Sequence, residues 1–316
     1  MAVLRFAILS DTHFFAPGAV AQDGLWWNRI LQTRAAEVGA SLVQALRALA
    51  PDFIIHCGDL TGHCDPANFE LACQIMDQAG CPWYAVPGNH DTWFPGVRAA
   101  LAARAGLAGG DCYFRRDLAG LRFLFLDVAY WVDRQGRTAR YLDKDRYDRG
   151  EIAGLGPGPD ELRWLEAELA EAADRPVILV SHAPLDFKPL YPVATLPRGQ
   201  APRGPATALV DLMGDVARRA ELRALIARYP QVKLALAGHW HIHDVTRVDG
   251  LAFVQTAALR EYPFEFRIAT LTPGRLSLTT HGLPEARFRD LSYMPEWRND
   301  WVAGRPEDRD LEIALT

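Results

Sequence analysis

Asp11 and His13 stand two residues apart at the end of an apolar run, and the same spacing recurs at His239 and His241. Asp59 ends a second apolar run, Asn89 and His90 follow a third, and His182 follows a later one. Alone, an Asp or His at a strand end is more often a turn residue than a ligand. Repeated through the chain, these residues share a geometry. Residues two apart in an extended segment point to the same side, and the carboxyl ends of neighbouring strands gather on one rim of a sheet. Gly58, Gly88 and Gly238 leave the backbone room to turn beside them. Carboxylate oxygen and neutral imidazole together suit divalent ions such as Mn, Fe or Zn. A carboxylate can join two ions, and Asp59 is the expected bridge. Two ions about 3.5–4 Å apart hold a shared hydroxide and two phosphate oxygens. The chemistry to expect is hydrolysis of a phosphoester by that hydroxide.

The elements that must position these residues alternate between strand and helix. Strand-like runs cover 3–9, 53–57, 83–86, 122–126, 177–180 and 232–237, and the first, second, third, fifth and sixth lead into the residues above. Helical periodicity falls at 33–49, 67–79, 160–173 and 208–228, with Asp160 placed as an N-cap. Three further β-like runs follow at 251–257, 265–271 and 275–280. Two stretches lack periodicity, 129–158 and 184–207, and loops of that length read as lids. The division expected is a domain over 1–281 and a polar C-terminal extension over 282–316, an arm for packing on the domain or on a second copy of the chain.

The blocks Asp11-Thr12-His13, Gly58-Asp59, Gly88 to Asp91, His182 and Gly238 to His241 occur in an order that resembles the calcineurin-like metallophosphoesterases. The resemblance spans about 3–281. It implies an α/β (α+β) fold, a four-layer αββα sandwich of two mixed sheets flanked by helices. It implies one metal on Asp11, His13, Asp59 and His241, and another on Asp59, Asn89, His182 and His239. It places His90 off the metals, protonating the leaving oxygen, with Asp91 orienting His90. The bacterial cyclic-nucleotide phosphodiesterase branch looks most similar, on Gly58 to Thr61, Val86 to Asp91 and Glu161 to Leu165. The sequence departs from that branch at Gly62, where an acidic residue is common, and at Ala183 and Leu185, where His and Pro are common. The function expected is a phosphodiesterase on a small molecule or cyclic nucleotide. A phosphomonoesterase on the same site and a catalytically silent scaffold are the alternatives.

The remaining residues bound this reading. A net charge of −5 argues against a nucleic-acid polymer as partner. The five cysteines have no paired spacing, which predicts reduced thiols and a cytoplasmic setting. No apolar run reaches the ~20 residues of a membrane span. His56 reads as a buried strand histidine, His243 as an exposed loop residue and His281 as surface, while His63, four residues after Asp59, is more simply a loop residue than a substrate contact. Phe14, Phe15, Trp26, Trp27, Trp93, Phe94, Tyr130, Trp131 and Trp240 follow the motif strands and are candidates to stack a base, or to pin loops. Arg198 and Arg203 are candidate phosphate clamps in a loop more simply read as solvated.

Overall fold

The computed structural model describes residues 3–16, 34–62, 65–107, 110–185, 218–293 and 299–316. Alternation along the strands explains its layering. In β1 (Leu4–Leu9), Phe6 and Ile8 enter one apolar cluster while Ala7 and Leu9 enter another. In β2 (Phe53–His56), Phe53 and Ile55 join Phe6 and Ile8, and Ile54 points the other way. The same split runs through β5 (Leu121–Phe125) and β9 (Val177–Val180): Phe123, Phe125, Ile178 and Val180 face the first cluster, Leu124, Val177 and Leu179 a third. Strands buried on both faces need a partner layer on each side. The shared cluster therefore lies between two sheets. The outer clusters receive helices α1 (Ala35–Leu49) and α2 (Pro66–Asp77) on one side, and α5 (Glu161–Ala172) with α6 (Arg219–Ala227) on the other.

One sheet places β1 beside β2 and β2 beside β3 (Trp83–Ala85), all parallel, with β13 (Glu265–Thr272), β14 (Arg275–Gly282) and β15 (Leu311–Ala314) completing it in antiparallel register. The other runs β5, β9, β10 (Val232–Ala237) and β12 (Leu251–Gln255) in parallel, edged by β4 (Phe114–Leu118) and β11 (Asp244–Val248). Thus β1, β2, β3, β9 and β10 all deliver their carboxyl ends to the same rim.

The stretch 129–158, expected to be an aperiodic lid, is instead a three-stranded antiparallel sheet of β6 (Tyr130–Asp133), β7 (Thr138–Ala139) and β8 (Ile152–Gly156), with helix α4 (Lys144–Asp148) between the last two. Its turn is organised by Asp133, which accepts hydrogen bonds from the backbone of Gln135 and Arg137 and from the side chains of Arg137 and Arg146. The tail after 282 returns to the first sheet as β15. Most of the second aperiodic stretch, with Arg198 and Arg203, lies outside the described residues, as do Trp26, Trp27, His63 and Cys64. Among the described residues Cys57, Cys73, Cys81 and Cys112 are free thiols, and no helix is long and apolar enough to cross a membrane.

Candidate metal centre

Past their strands the motif loops stay zipped by backbone hydrogen bonds. Asp11 N–H donates to Gly58 (3.1 Å), His13 N–H to Asp59 (3.0 Å), Gly238 N–H to His182 (3.0 Å) and Leu259 N–H to Ser10 (3.1 Å). Five residues here carry positive φ: Asp11 (51°), His13 (43°), Asp59 (54°), His239 (71°) and His241 (57°). That left-handed backbone costs a non-glycine residue on the order of 1 kcal/mol and persists where surrounding bonds over-determine it. It turns each side chain inward at the rim. Two glycines allow the closeness: a Cβ on Gly88 would overlap the Asp59 carboxylate, and one on Gly238 would overlap Ser10 Oγ and the Asp11 carboxylate.

Two donor sets result. In the first, Asp11 Oδ2 accepts from His239 N–H (2.9 Å) and from Ser10 Oγ, while buried Oδ1 accepts no hydrogen bond. Oδ1 lies 3.2 Å from His241 Nε2 and 3.7 Å from His13 Nε2, and those two nitrogens are 3.2 Å apart. In the second, His182 Nδ1 donates to the Cys57 carbonyl (2.8 Å), which leaves Nε2 facing Asn89 Oδ1 at 3.0 Å, His239 Nδ1 at 3.1 Å and Asp59 Oδ2 at 3.4 Å. Asp59 reaches both sets: Oδ2 is also 3.6 Å from His13 Nε2, and Oδ1 accepts His90 N–H at 2.8 Å. All seven side chains are buried. Ring nitrogens converging on one another and on a carboxylate oxygen without a hydrogen bond suit divalent ions; Asp11, His13 and His241 form one such group, and Asp11, Asp59 and His182 another.

The electrostatics agree with that fit. Burial opposes charge on Asp11 and Asp59, yet the surrounding histidines hold both carboxyls well below the usual range. Burial also opposes charge on the rings of His182 and His241, but the Asp59 and Asp11 carboxylates push them up to about 9 and about 10. His13 and His90 are lowered, chiefly by burial.

His90 sits at the edge. Its Nδ1 donates to the Gly62 carbonyl (2.7 Å), and its ring lies T-shaped to His13 and parallel to Trp93, 5.8 Å away. The backbone at Gly62 supplies this contact, so the missing acidic side chain there does not disturb His90. The expectation that Asp91 orients His90 is corrected. Asp91 accepts from the N–H groups of Leu60, Thr61 and Gly88 and from Thr61 Oγ1, so it clamps two motif loops together instead. Burial and the nearby Asp59 carboxylate raise it to about 6.

The other singled-out residues divide. His56 is buried, its Nδ1 accepting Gly58 N–H and its Nε2 3.0 Å from Thr12 Oγ1. His243, read as an exposed loop residue, is 1% exposed, accepts Ala257 N–H and stands 3.4 Å from Glu265. Phe14, Phe15, Tyr130 and Trp131 are buried, and Trp131 donates to Thr92 Oγ1. They pin loops. Trp93 and Trp240, each beside a site histidine, are the described aromatics left near the rim. Two residues carried no signal in the motifs. Arg260 is 7% exposed, with Asp59 and Asp11 among its charged neighbours, and Glu261 Oε1 lies 2.6 Å from His241 Nδ1. Both follow β12, on the crossover from one sheet to the other, where no apolar run announces a site.

The chain matches the family model described as Calcineurin-like phosphoesterase over residues 4–243, and it belongs to that family. It is an enzyme, a metal-dependent phosphoesterase. It is 27% identical to a probable cyclic nucleotide phosphodiesterase of a Synechococcus species over 75% of this chain and 73% of that one. It is 24% identical to a glycerophosphodiester phosphodiesterase of Enterobacter lignolyticus, with 77% and 73% covered. It is 23% identical to the 3',5'-cyclic adenosine monophosphate phosphodiesterase of Escherichia coli, with 88% and 86% covered. Among solved structures it resembles a dimetal phosphatase from Danio rerio, with TM-score 0.65, 16% identity and 99% of each chain covered, which supports the fold.

Proposed function

We propose that this enzyme hydrolyses small phosphodiesters with two divalent ions held by Asp11, His13, Asp59, Asn89, His182, His239 and His241. The observation that carries the reading is Asp59 Oδ2, which faces both donor sets, 3.6 Å from His13 Nε2 and 3.4 Å from His182 Nε2. One ion falls to Asp11, His13, Asp59 and His241; the other falls to Asp59, Asn89, His182 and His239. Bound there, Mn, Fe or Zn would supply Lewis acidity and an activated water. The protein's own groups supply the rest. His90, whose Nδ1–H donates to the Gly62 carbonyl, would act as general acid in its imidazolium form, giving the Nε2 proton to the leaving oxygen and remaining as the neutral ring. Asp91 fixes the loops that carry Asp59 and Asn89. Arg260 adds buried positive charge beside the carboxylates, where a phosphoryl group needs it. Trp93 offers an aromatic face next to His90 for part of the leaving group.

The relatives' names point to a cyclic nucleotide or a glycerophosphodiester as the substrate class. The test is Mn-reconstituted protein assayed against bis-p-nitrophenyl phosphate, p-nitrophenyl phosphate, cyclic nucleotides and glycerophosphodiesters. Diesters should turn over faster than monoesters, and Asn89→Ala should abolish the difference by removing activity. Turnover of the monoester alone moves the assignment to a phosphomonoesterase. Turnover of none of them, with metal bound, leaves a scaffold.

A further inference from the structure

His241 presents Nε2 to Asp11 and His13, so its other nitrogen must be settled elsewhere. Nδ1 lies 2.6 Å from Glu261 Oε1, and Glu261 is 3% exposed. Ile242, Tyr262 and Val302 pack together beside them. The Glu261 backbone is held on both sides: Leu259 N–H donates to Ser10 at 3.1 Å, and Phe264 N–H to the Glu261 carbonyl at 2.7 Å. Tyr262 N–H donates to Ser292 Oγ at 2.7 Å. The carboxylate is therefore delivered by a fixed crossover. It also lies beyond residue 243, where the match to the family ends.

We infer that Glu261 is a positioning residue: its carboxylate accepts the Nδ1–H of His241, fixing the tautomer and ring plane that turn Nε2 into a metal ligand. This rests on the reading of His241 as a ligand. A carboxylate behind a metal-binding imidazole sets the tautomer and raises ligand basicity, and its loss typically weakens metal binding about 10–100-fold. A purely structural ion pair at the same place would stabilise the fold without touching the affinity.

Calorimetric titration with Mn²⁺ separates the two. Glu261→Ala should bind about 10–100-fold more weakly with an unchanged circular dichroism spectrum. Glu261→Gln, whose amide oxygen can still accept the Nδ1 proton, should restore most of the loss. In zinc-loaded protein, nitrogen NMR should show the His241 proton on Nδ1. Unchanged Mn²⁺ affinity in Glu261→Ala overturns the inference, and so does an equal loss in the Ala and Gln variants. If Glu261→Ala does not fold, the NMR spectrum of the unmodified protein decides, and a proton on Nε2 overturns it. His241→Ala keeps the two readings apart. If that variant binds Mn²⁺ as tightly as the unmodified protein, the ligand assignment itself fails. If it loses affinity while Glu261→Ala does not, only the role of Glu261 fails.

Discussion

Single residues at this rim are constrained by contact more than by type. Gly238 is pressed so close to Ser10 and Asp11 that a methyl group has nowhere to go. Gly238→Ala should lower stability by about 1–3 kcal/mol, the usual cost of overpacking, and should also weaken metal binding because Asp11 Oδ2 must move. Thermal unfolding with and without Mn²⁺ checks both; an alanine variant with unchanged metal affinity would mean the carboxylate is not held as described. His90 makes the opposite kind of prediction. Its ring touches the site from the edge and its Nδ1 is committed to Gly62. His90→Asn should therefore lower kcat by about 10²–10⁴, the range for losing a general acid, while leaving the Mn²⁺ stoichiometry intact. Loss of metal in step with activity would instead make His90 a ligand, which its place in a group with His13 and Asp59 makes worth measuring.

At the scale of elements, the legible parts are those where an apolar run stops at a polar residue. The runs before Asp11, Asp59, Asn89, His182 and His239 are strands because their alternating side chains fill layers on both faces. Their parallel order makes the stopping residues neighbours. Asp127 shows the limit of that signal: it also ends a strand, yet it is buried in an ion pair with Arg98 at 2.7 Å. The small sheet was not legible, because its strands are short and its turn depends on one aspartate binding backbone groups. His243 looked exposed in a polar stretch because its cover, including the backbone of Val302 that accepts its N–H, comes from the chain's far end. Asp91 was legible as important but not in its role, since a neighbour in sequence was taken for its partner. Its actual bonds bridge the loop after β2 and the loop after β3. Asp91→Ala leaves three buried N–H groups without an acceptor, so destabilisation on the order of 3 kcal/mol is expected, measurable as a shift in the urea midpoint. A variant as stable as the unmodified protein would show that the clamp is not what joins these loops.

For the whole molecule, the question is what ties the C-terminal segment to the sandwich whose rim it helps to cover. β15 pairs with the edge of the first sheet, and just before it Arg309 grips Glu265 of β13 through two bonds of 2.8 Å. Burial favours a neutral Glu265, but His243 and Arg309 prevail and hold it down at about 2, against 4.5 for a free glutamate. A carboxyl depressed in the folded state gives stability that is complete above the unfolded value and lost as protons bind the unfolded chain first. Stability from this pair should therefore be full above pH 4.5 and drain away between pH 4.5 and about pH 2. Glu265→Gln should be less stable at neutral pH, and the gap to the unmodified protein should narrow through that window. Urea unfolding across the range measures it. A gap that stays constant as the pH falls would mean that Glu265 contributes by packing alone, and that the charge linking the C-terminal segment to β13 does not hold it there.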